Sequence, residues 1–376
     1  MATYNFTVRA EDESGAFADR DFSIQIRNNL INRILIANND DIAISPDGVT
    51  FTRQLGRGGI YAGCWLKKWI IFTDPSTYRL SPDGISWFEN NKLQVQGDSV
   101  FGNIVFETAA HIRNGTMIEH NGLLYMLVAS PSGRPTLIRS SDLITWTIVK
   151  PETFSATHNN NLGIPTGTST WTSPEYLSNA TTNLFLDNGK ISFMSQLFGS
   201  NKIWTYDHET NTVSLKNCNV YLVFATHQTV QRFNSIDKIN GIYISQHHTM
   251  NGVTPDVRFT LGNDHAASHP ISVANGNSSA YSSRYRHNFF YHNGSIHTVF
   301  GKNYYHFKTP QKVESLHSTA YGGMYCDCGI FKGKMWWIDT NTVRSSFDMT
   351  VSGGVTTHAM PSGFNTGTAH SIAILK

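Results

Sequence analysis

The chain has 376 residues, of which 15% are charged and 12% aromatic, and it contains 30 glycines. This composition is typical of many short strands joined by turns, and it disfavours a protein built from charged amphipathic helices. The formal charge of +2 comes from scattered Lys and Arg rather than from a basic run, which argues against nucleic acid as a partner, and no apolar run approaches the roughly 20 residues of a membrane-spanning helix.

Two strands with alternating apolar and polar residues stand at the beginning. The first covers residues 4–12 and the second residues 18–26, with a turn over 13–16. The pattern resembles the last two strands of a cadherin-like or immunoglobulin-like module, of the kind that recurs in structural proteins of tailed bacteriophages. Because an isolated two-stranded ribbon is marginal in water, we expect residues 1–30 to dock on the rest of the chain or, as the favoured alternative, on another protein's sheet.

A hairpin recurs along the remaining residues, with a short apolar strand, a tight turn and a second, more apolar strand. Asn-Gly between apolar strands is the strongest short hairpin signal, because a type I′ turn needs positive φ at both central residues. The predicted turns are Asn121-Gly122, Asn188-Gly189, Asn240-Gly241, Asn293-Gly294, Lys332-Gly333 and a looser copy at Lys67-Lys68. Six hairpins spaced by about 35 to 65 residues are typical of four-stranded propeller blades.

A seventh blade is expected from both ends of this region. Residues 33–37 have the pattern of a second strand without a first, and residues 370–375 have that of a first strand without a second. Pairing them removes the exposed edges that an open sheet would leave. The sequence therefore predicts an all-β protein, with a seven-bladed β-propeller over 31–376 that its C-terminal strand closes, preceded by an N-terminal β-ribbon over 1–30.

Three segments share a serine, an aspartate two residues later and an aromatic residue four positions after the aspartate. They cover residues 45–51, 81–87 and 140–146. Each is similar to the Asp box of sialidase-type propellers, which implies a turn between the third and fourth strands of a blade. The resemblance assigns Asp47, Asp83 and Asp142 as acceptors of turn amides, and Trp87 and Trp146 as packed anchors. The box is structural, so it predicts the fold and not catalysis.

No catalytic residue is assigned from the sequence. Sialidases clamp a substrate carboxylate with three arginines on the central channel. The candidate arginines here do not fall at matching positions of successive blades: Arg57, Arg113, Arg284 and Arg286. Glycoside hydrolysis needs two carboxylates across a cleft, and Glu107, Glu175 or Asp327 could supply them, although nothing singles them out. No Cys or His spacing is typical of a metal site, and no cofactor is expected.

Basic side chains mark the start of the first strand in several predicted hairpins. In a propeller these innermost strands line the central channel, so such residues can converge on one channel mouth. The candidate ligand-binding residues are His111, His227, Arg284, Arg286, His287, His317 and His370. The structural alternative is that each histidine only bonds to its neighbouring blade.

The ribbon, the Asp-box propeller and the missing catalytic signature favour a virion structural protein of a tailed bacteriophage. We expect it to be made in the host cytoplasm, to bind other virion proteins through the ribbon, and to occur in multiple copies. Its propeller would bind a host-surface polysaccharide or stabilise the particle. The alternatives are a glycan-cleaving enzyme of the sialidase-like class and a scaffold for protein complexes.

Overall fold

The computed structural model shows a chain of β-strands joined by turns, and a short 3-10 turn covers Thr366–Thr368. It describes residues 2–26, 32–74, 76–88, 90–93, 95–96, 117–129, 135–149, 184–197, 200–217, 231–239, 242–251, 254–264, 267–273, 290–292, 294–300, 303–309, 312–315, 328–339, 342–347 and 354–375. Within these ranges no helix has the length and apolar character needed to cross a bilayer.

The first two strands form a sheet of their own. Strand β1 (Ala2–Glu11) pairs antiparallel with β2 (Phe17–Ile26), in an unbroken register from Ala2 opposite Ile26 to Glu11 opposite Phe17. Asp12 builds the connecting turn, because its Oδ1 accepts the amides of Ser14 and Ala16. The register places even-numbered positions of one strand opposite even-numbered positions of the other, so each parity occupies one face of the ribbon.

The other described strands form seven sheets, numbered here along the chain. Sheet 1 contains β3 (Ile34–Ala37), β4 (Ile42–Ser45), β5 (Thr52–Gln54) and the last strand, β31 (Ser371–Ile374). Sheet 2 contains β6 (Tyr61–Trp65), β7 (Lys68–Asp74), β8 (Thr77–Ser81) and β9 (Asn91–Lys92). Sheet 3 contains β10 (Val95–Gln96), β11 (Met117–His120), β12 (Leu123–Ala129), β13 (Pro135–Ser140) and β14 (Trp146–Ile148).

The last four sheets have four strands each. Sheet 4 contains β15 (Phe185–Asp187), β16 (Lys190–Leu197), β17 (Ser200–Asp207) and β18 (Thr212–Asn217). Sheet 5 contains β19 (Gln231–Ile239), β20 (Ile242–Asn251), β21 (Thr254–Asp264) and β22 (Ala267–Val273). Sheet 6 contains β23 (Phe290–His292), β24 (Ser295–Phe300), β25 (Asn303–Thr309) and β26 (Lys312–Ser315). Sheet 7 contains β27 (Cys328–Phe331), β28 (Lys334–Asp339), β29 (Thr342–Ser346) and β30 (Val355–His358).

Several neighbouring sheets place their first strands side by side, as β15 of sheet 4 and β19 of sheet 5 do. Strand β31, the first strand of sheet 1, contacts β27 of sheet 7 and β6 of sheet 2. Four-stranded antiparallel sheets in chain order, arrayed with their first strands adjacent, are the blades of a β-propeller. The chain is therefore an all-β protein of the propeller type.

Sheet 1 joins strands from distant parts of the chain. Strand β31 pairs antiparallel with β3, with Ile374 opposite Ile34 and Ser371 opposite Ala37. Both faces of β3 are covered, since Ile34 and Ile36 pack with Trp336 of sheet 7, whereas Leu35 and Ala37 pack with sheet 2. Side chains of a strand alternate between its faces, so the uninterrupted apolar sequence of β3 is what burial on both sides requires.

Three of the predicted hairpin turns have the predicted conformation, and a fourth is shifted by one residue. Positive φ angles occur at Asn121-Gly122, Asn188-Gly189 and Lys332-Gly333, as a type I′ turn demands. In sheet 2 the turn lies at Leu66-Lys67, one residue before the predicted Lys67-Lys68. Lys68 pairs with Trp65 and begins β7, because this register buries Trp69 in the core. Asn240-Gly241 and Asn293 lie outside the described residues.

Sheet 3 has a fifth strand that the sequence pattern did not predict. Strand β10 runs parallel to β14, with Val95 opposite Trp146. It covers the outer edge of the sheet, where a strand would otherwise expose unpaired amides and carbonyls.

Candidate functional site

The same turn joins the third and fourth strands of sheets 1, 2 and 3. In sheet 3, Asp142 Oδ1 accepts hydrogen bonds from the amides of Ile144 at 2.8 Å and Thr145 at 2.7 Å. Asp47 and Asp83 accept the corresponding amides in sheets 1 and 2. Each carboxylate is therefore engaged by its own turn, as the motif predicts for residues of this type.

These bonds keep the aspartates ionised. The amides of Val49 and Thr50 lower the pKa of Asp47 to about 2. Burial opposes the ionisation of Asp83 and Asp142, but the turn amides and the serine hydroxyl outweigh it and lower the pKa of both. A glycosidase acid must instead hold its proton near neutral pH. The three aspartates thus act as anionic turn caps.

The aromatic residues of the three turns differ in burial. Trp146 is fully buried and Phe51 is 8% exposed, and each directly begins or precedes the fourth strand of its sheet. Trp87 is only half-buried, packs against the core shared by sheets 1 and 2, and donates Nε1 to Gln54 Oε1 at 2.9 Å. Its fourth strand starts later, at Asn91, so Trp87 does not lead directly into a strand as Phe51 and Trp146 do.

Cations from the preceding sheet bond to the carbonyl oxygens of two of these turns. Arg33, immediately before β3, donates Nη1 to the Asp83 carbonyl at 2.9 Å. Lys68, the first residue of β7, donates Nζ to the Asp142 carbonyl at 3.0 Å. Both donors stand at the start of the second strand of their sheet. The turns are therefore joints between neighbouring sheets.

Tyr78 strengthens the joint between sheets 2 and 3. Its hydroxyl donates to the carbonyl of Leu143 at 2.7 Å and accepts the indole N–H of Trp146 at 3.1 Å. Tyr78 and Trp146 are fully buried, and burial raises the pKa of the Tyr78 phenol. The phenol remains protonated at neutral pH, which the bond to Leu143 requires.

One residue of the predicted channel site lies among the described residues. His370 immediately precedes β31, its amide donates to the Ala37 carbonyl at 3.0 Å, and its Nδ1 lies 2.9 Å from Ser371 Oγ. The ring lies against the backbone of Gly59, and its Nε2 is buried without a well-formed hydrogen bond. Burial lowers the pKa of His370, so the ring is neutral at pH 7. The other predicted site residues lie outside the described ranges: His111, His227, Arg284, Arg286, His287 and His317.

Polar contacts fix the loops around His370. Asn38 Oδ1 accepts the amide of Asp41 at 2.6 Å, and its Nδ2 donates to the Asn365 carbonyl at 3.1 Å. Arg53 donates Nε to Asp41 Oδ2 at 2.8 Å and Nη1 to the Ser362 carbonyl at 3.1 Å. The connection into β31 is thereby held against sheet 1 by a polar network in which Asn38 and Asp41 are buried.

A stacked tryptophan and histidine in sheet 7 were not predicted. The rings of Trp336 and His358 lie 4.1 Å apart at 23°, and His358 Nε2 is 2.7 Å from Ser345 Oγ. Burial, assisted by the charge of Lys334, lowers the pKa of His358. Ser345 is wholly buried, so this pair is a packing element and not a nucleophile with its base. The tryptophan pair at 336–337 was the only signal in the sequence.

The sequence after the third strand of sheet 7 has a weaker version of the serine–aspartate pattern. Ser346 lies opposite Met335, as Ser81 lies opposite Trp69 in sheet 2 and Ser140 lies opposite Leu124 in sheet 3. The sequence continues with Phe347-Asp348, and a serine stands where the other turns have an aromatic residue. Without that aromatic the motif is difficult to recognise, and residues 348–353 lie outside the described ranges.

The acidic candidates for hydrolysis, Glu107, Glu175 and Asp327, also lie outside the described residues, as does Arg113. Within the part of the chain that the structure describes, no three His, Cys, Asp or Glu side chains are grouped as a metal site would require. The described site is therefore the polar end of sheet 1, with His370 beside Gly59.

The architecture defines a protein of the β-propeller class. No protein-family model and no curated protein matches the chain. Among solved structures, puromycin hydrolase superposes with a TM-score of 0.50 and 9% identity, over 89% of this chain and 53% of that chain.

Two further solved structures resemble the chain less closely. The β-propeller domain of a Vanderwaltozyma polyspora protein has a TM-score of 0.43 and 12% identity, over 89% of this chain and 93% of that one. An α-L-arabinofuranosidase from Clostridium thermocellum has a TM-score of 0.37 and 8% identity, over 82% and 94%. At such identities the likeness concerns the fold alone.

Proposed function

We propose that the chain is a non-enzymatic virion structural protein of a tailed bacteriophage, attached by residues 1–30 and carrying a propeller that binds host-surface polysaccharide. The observation that carries this proposal is the N-terminal ribbon. It is a separate two-stranded sheet, and such ribbons need a second surface to be stable in water.

The two faces of the ribbon differ in polarity: on one face polar side chains bond to one another, and the other face is mainly apolar. On the odd-numbered face, Arg9 forms a bidentate ion pair with Asp19 at 2.7 and 2.8 Å and covers the Phe17 ring at 4.1 Å, while Thr7 bonds to Asp21. On the even-numbered face the sequence is mainly apolar, and Val8 is 48% exposed. An apolar face with unpaired strand edges favours docking on a partner's sheet.

The described carboxylates support a non-enzymatic role. Every described aspartate with a resolved shift has a lowered pKa, and each is held by turn amides, a hydroxyl or a basic side chain. They are Asp12, Asp19, Asp41, Asp47, Asp74, Asp83, Asp142 and Asp207. None of these groups holds a proton for a leaving sugar near neutral pH.

The seven sheets are, in this proposal, the seven blades of one ring. Strand β31 supplies the innermost strand of sheet 1 and completes the ring between sheets 7 and 2. The three Ser-x-Asp turns at equivalent positions support membership of the Asp-box propellers. A closed ring exposes both of its faces, and the face that contains His370 offers a polar surface for a glycan.

The attachment is tested with a matched pair of ribbon variants of the full chain. Val8→Lys places a charge on the apolar face, whereas Thr7→Lys places the same charge on the polar face. Each variant replaces the native chain in its host, and its incorporation into gradient-purified particles is measured by mass spectrometry. We expect Val8→Lys to abolish incorporation with an unchanged melting transition, and Thr7→Lys to incorporate normally.

Three outcomes would contradict the proposal. Equal incorporation of both variants would show that the apolar face is not the attachment surface. Absence of the native chain from particles would remove the virion role. Release of reducing sugar from host polysaccharide by the purified chain would establish the glycan-cleaving alternative instead.

A further inference from the structure

The loop from β5 to β6 holds one arginine in a fixed position. Gly56 donates its amide to Asp41 Oδ1 at 2.9 Å, and Gly58 donates its amide to the Asp40 carbonyl at 2.8 Å. A Cβ atom at Gly58 would collide with the backbone of residues 38–41, so the loop is closely packed there. Arg57 stands between these two anchored glycines and is exposed. Its backbone is therefore ordered in advance of any ligand.

A second guanidinium from sheet 2 lies beside this loop. Arg79 of β8 donates Nη1 to the Gly56 carbonyl at 2.9 Å and Nε to Asn90 Oδ1 at 2.8 Å. Because Gly56 immediately precedes Arg57, the bond to its carbonyl brings the Arg79 guanidinium next to Arg57. Consistent with this arrangement, burial and the charge of Arg57 both lower the pKa of Arg79. Two like charges held together in this way create a local positive potential.

The arginines in this region differ in whether a carboxylate neutralises their charge. Arg53 is neutralised by Asp41 on the other side of the loop. Among the described residues no carboxylate bonds to Arg57 or Arg79. The exposed guanidinium of Arg57 presents a planar fork of donors that fits two oxygens of a carboxylate, sulfate or phosphate group. Arg79 already donates Nε and Nη1 within the protein, so it adds its charge and Nη2. The pair is suited to one anionic group, and two arginines are too few to follow a nucleic-acid backbone.

We propose that Arg57 and Arg79 bind one oxyanion of an acidic polysaccharide, either a uronate carboxylate or a sulfate or phosphate ester. This inference rests on the proposed glycan-binding function and names its ligand class. The same loop continues to Gly59, which lies beside His370. A sugar chain anchored by its anionic group at Arg57 would extend over the polar end of sheet 1.

The test titrates the full chain with glucuronate, inorganic sulfate, inorganic phosphate and a sulfated, uronate-containing polysaccharide in separate experiments at constant ionic strength, with glucose as the uncharged control. Binding is followed by calorimetry and by ligand-observed NMR. The variants are Arg57→Gln and Arg79→Gln, and Lys332→Gln removes the same charge from an exposed turn of sheet 7. The Arg57 side chain supports no described hydrogen bond, so Arg57→Gln leaves the fold intact.

We expect saturable binding of at least one oxyanion, no binding of glucose, and a loss of roughly tenfold or more in affinity for Arg57→Gln and Arg79→Gln, because each removes charged hydrogen bonds. Lys332→Gln should bind as the native chain does. Absence of saturable binding, or equal affinities for Arg57→Gln and Lys332→Gln, would overturn the site. Binding of sulfate or phosphate without binding of any acidic polysaccharide would overturn the glycan as ligand, while the attachment through the ribbon would stand.

Discussion

Replacing Tyr78 by phenylalanine removes a single oxygen atom from the joint between sheets 2 and 3. That oxygen satisfies two buried groups, the carbonyl of Leu143 and the indole N–H of Trp146. A buried polar group left without a partner costs about 1–3 kcal/mol, so we expect Tyr78→Phe to lower the free energy of unfolding by roughly 2–4 kcal/mol. The quantity is measured by urea denaturation followed through tryptophan fluorescence.

Tyr61→Phe is the matched control for this substitution. Tyr61 is equally buried and accepts the indole N–H of Trp65 at 3.3 Å, but Trp65 is half-buried and water can replace the lost bond. We expect a loss at least ~1 kcal/mol smaller than that of Tyr78→Phe. In a double-mutant cycle, Tyr78→Phe and Trp146→Phe should couple by about 0.5–3 kcal/mol. Equal losses of unfolding free energy for both tyrosine variants, together with additive effects in the cycle, would refute the role of Tyr78 in joining sheets 2 and 3.

Two further predictions concern burial. Trp146→Ala should lower the free energy of unfolding by about 3–5 kcal/mol, because the side chain is fully buried. Trp87→Ala should lower it less, because Trp87 is half-buried. Similar losses of stability in urea denaturation would contradict this ranking. The second concerns His370, whose pKa is lowered by burial. Its neutral form stabilises the fold fully above the unfolded pKa of about 6.5, and this contribution is lost as pH falls toward the folded value. His370→Gln should therefore lose less stability between pH 7 and pH 5 than the native chain, whereas an identical loss would show that the ring is solvated.

The sheets were predictable where local signals coincided. Turns such as Asn121-Gly122 need positive φ, and Asn and Gly are the residue types that favour it, so the sequence predicts these turns directly. The serine–aspartate turns were recognisable for the same reason, because each makes its bonds within a few residues. The residue types Leu66 and Lys67 do not predict a turn, and the burial of Trp69 determines where the turn lies instead. A register that tertiary packing determines is not visible in a local pattern.

The site was harder to predict, because its contacts join residues far apart in sequence. Histidine patterning led to His370, but nothing near it in the sequence indicates the Gly59 backbone that lies against its ring. The pairing of Arg57 with Arg79 has the same origin, since one lies in a loop of sheet 1 and the other in a strand of sheet 2. A sequence motif reports which donors exist, whereas only the packing of two sheets brings these donors together.

The most direct test of a ring closed by both ends is a disulfide between β3 and β31. Ala37 and Ser371 are register partners in sheet 1, and both are small and buried. The Cα atoms of residues directly opposite each other in an antiparallel pair lie within the distance that a disulfide spans. The double variant Ala37→Cys/Ser371→Cys should therefore give a peptide cross-linked between positions 37 and 371 in the mass spectrum after mild oxidation. Ala37→Cys/Ala373→Cys, which places the second cysteine two residues out of register, should give almost none. Equal yields from the two variants, or no cross-link in the first, would contradict the closure.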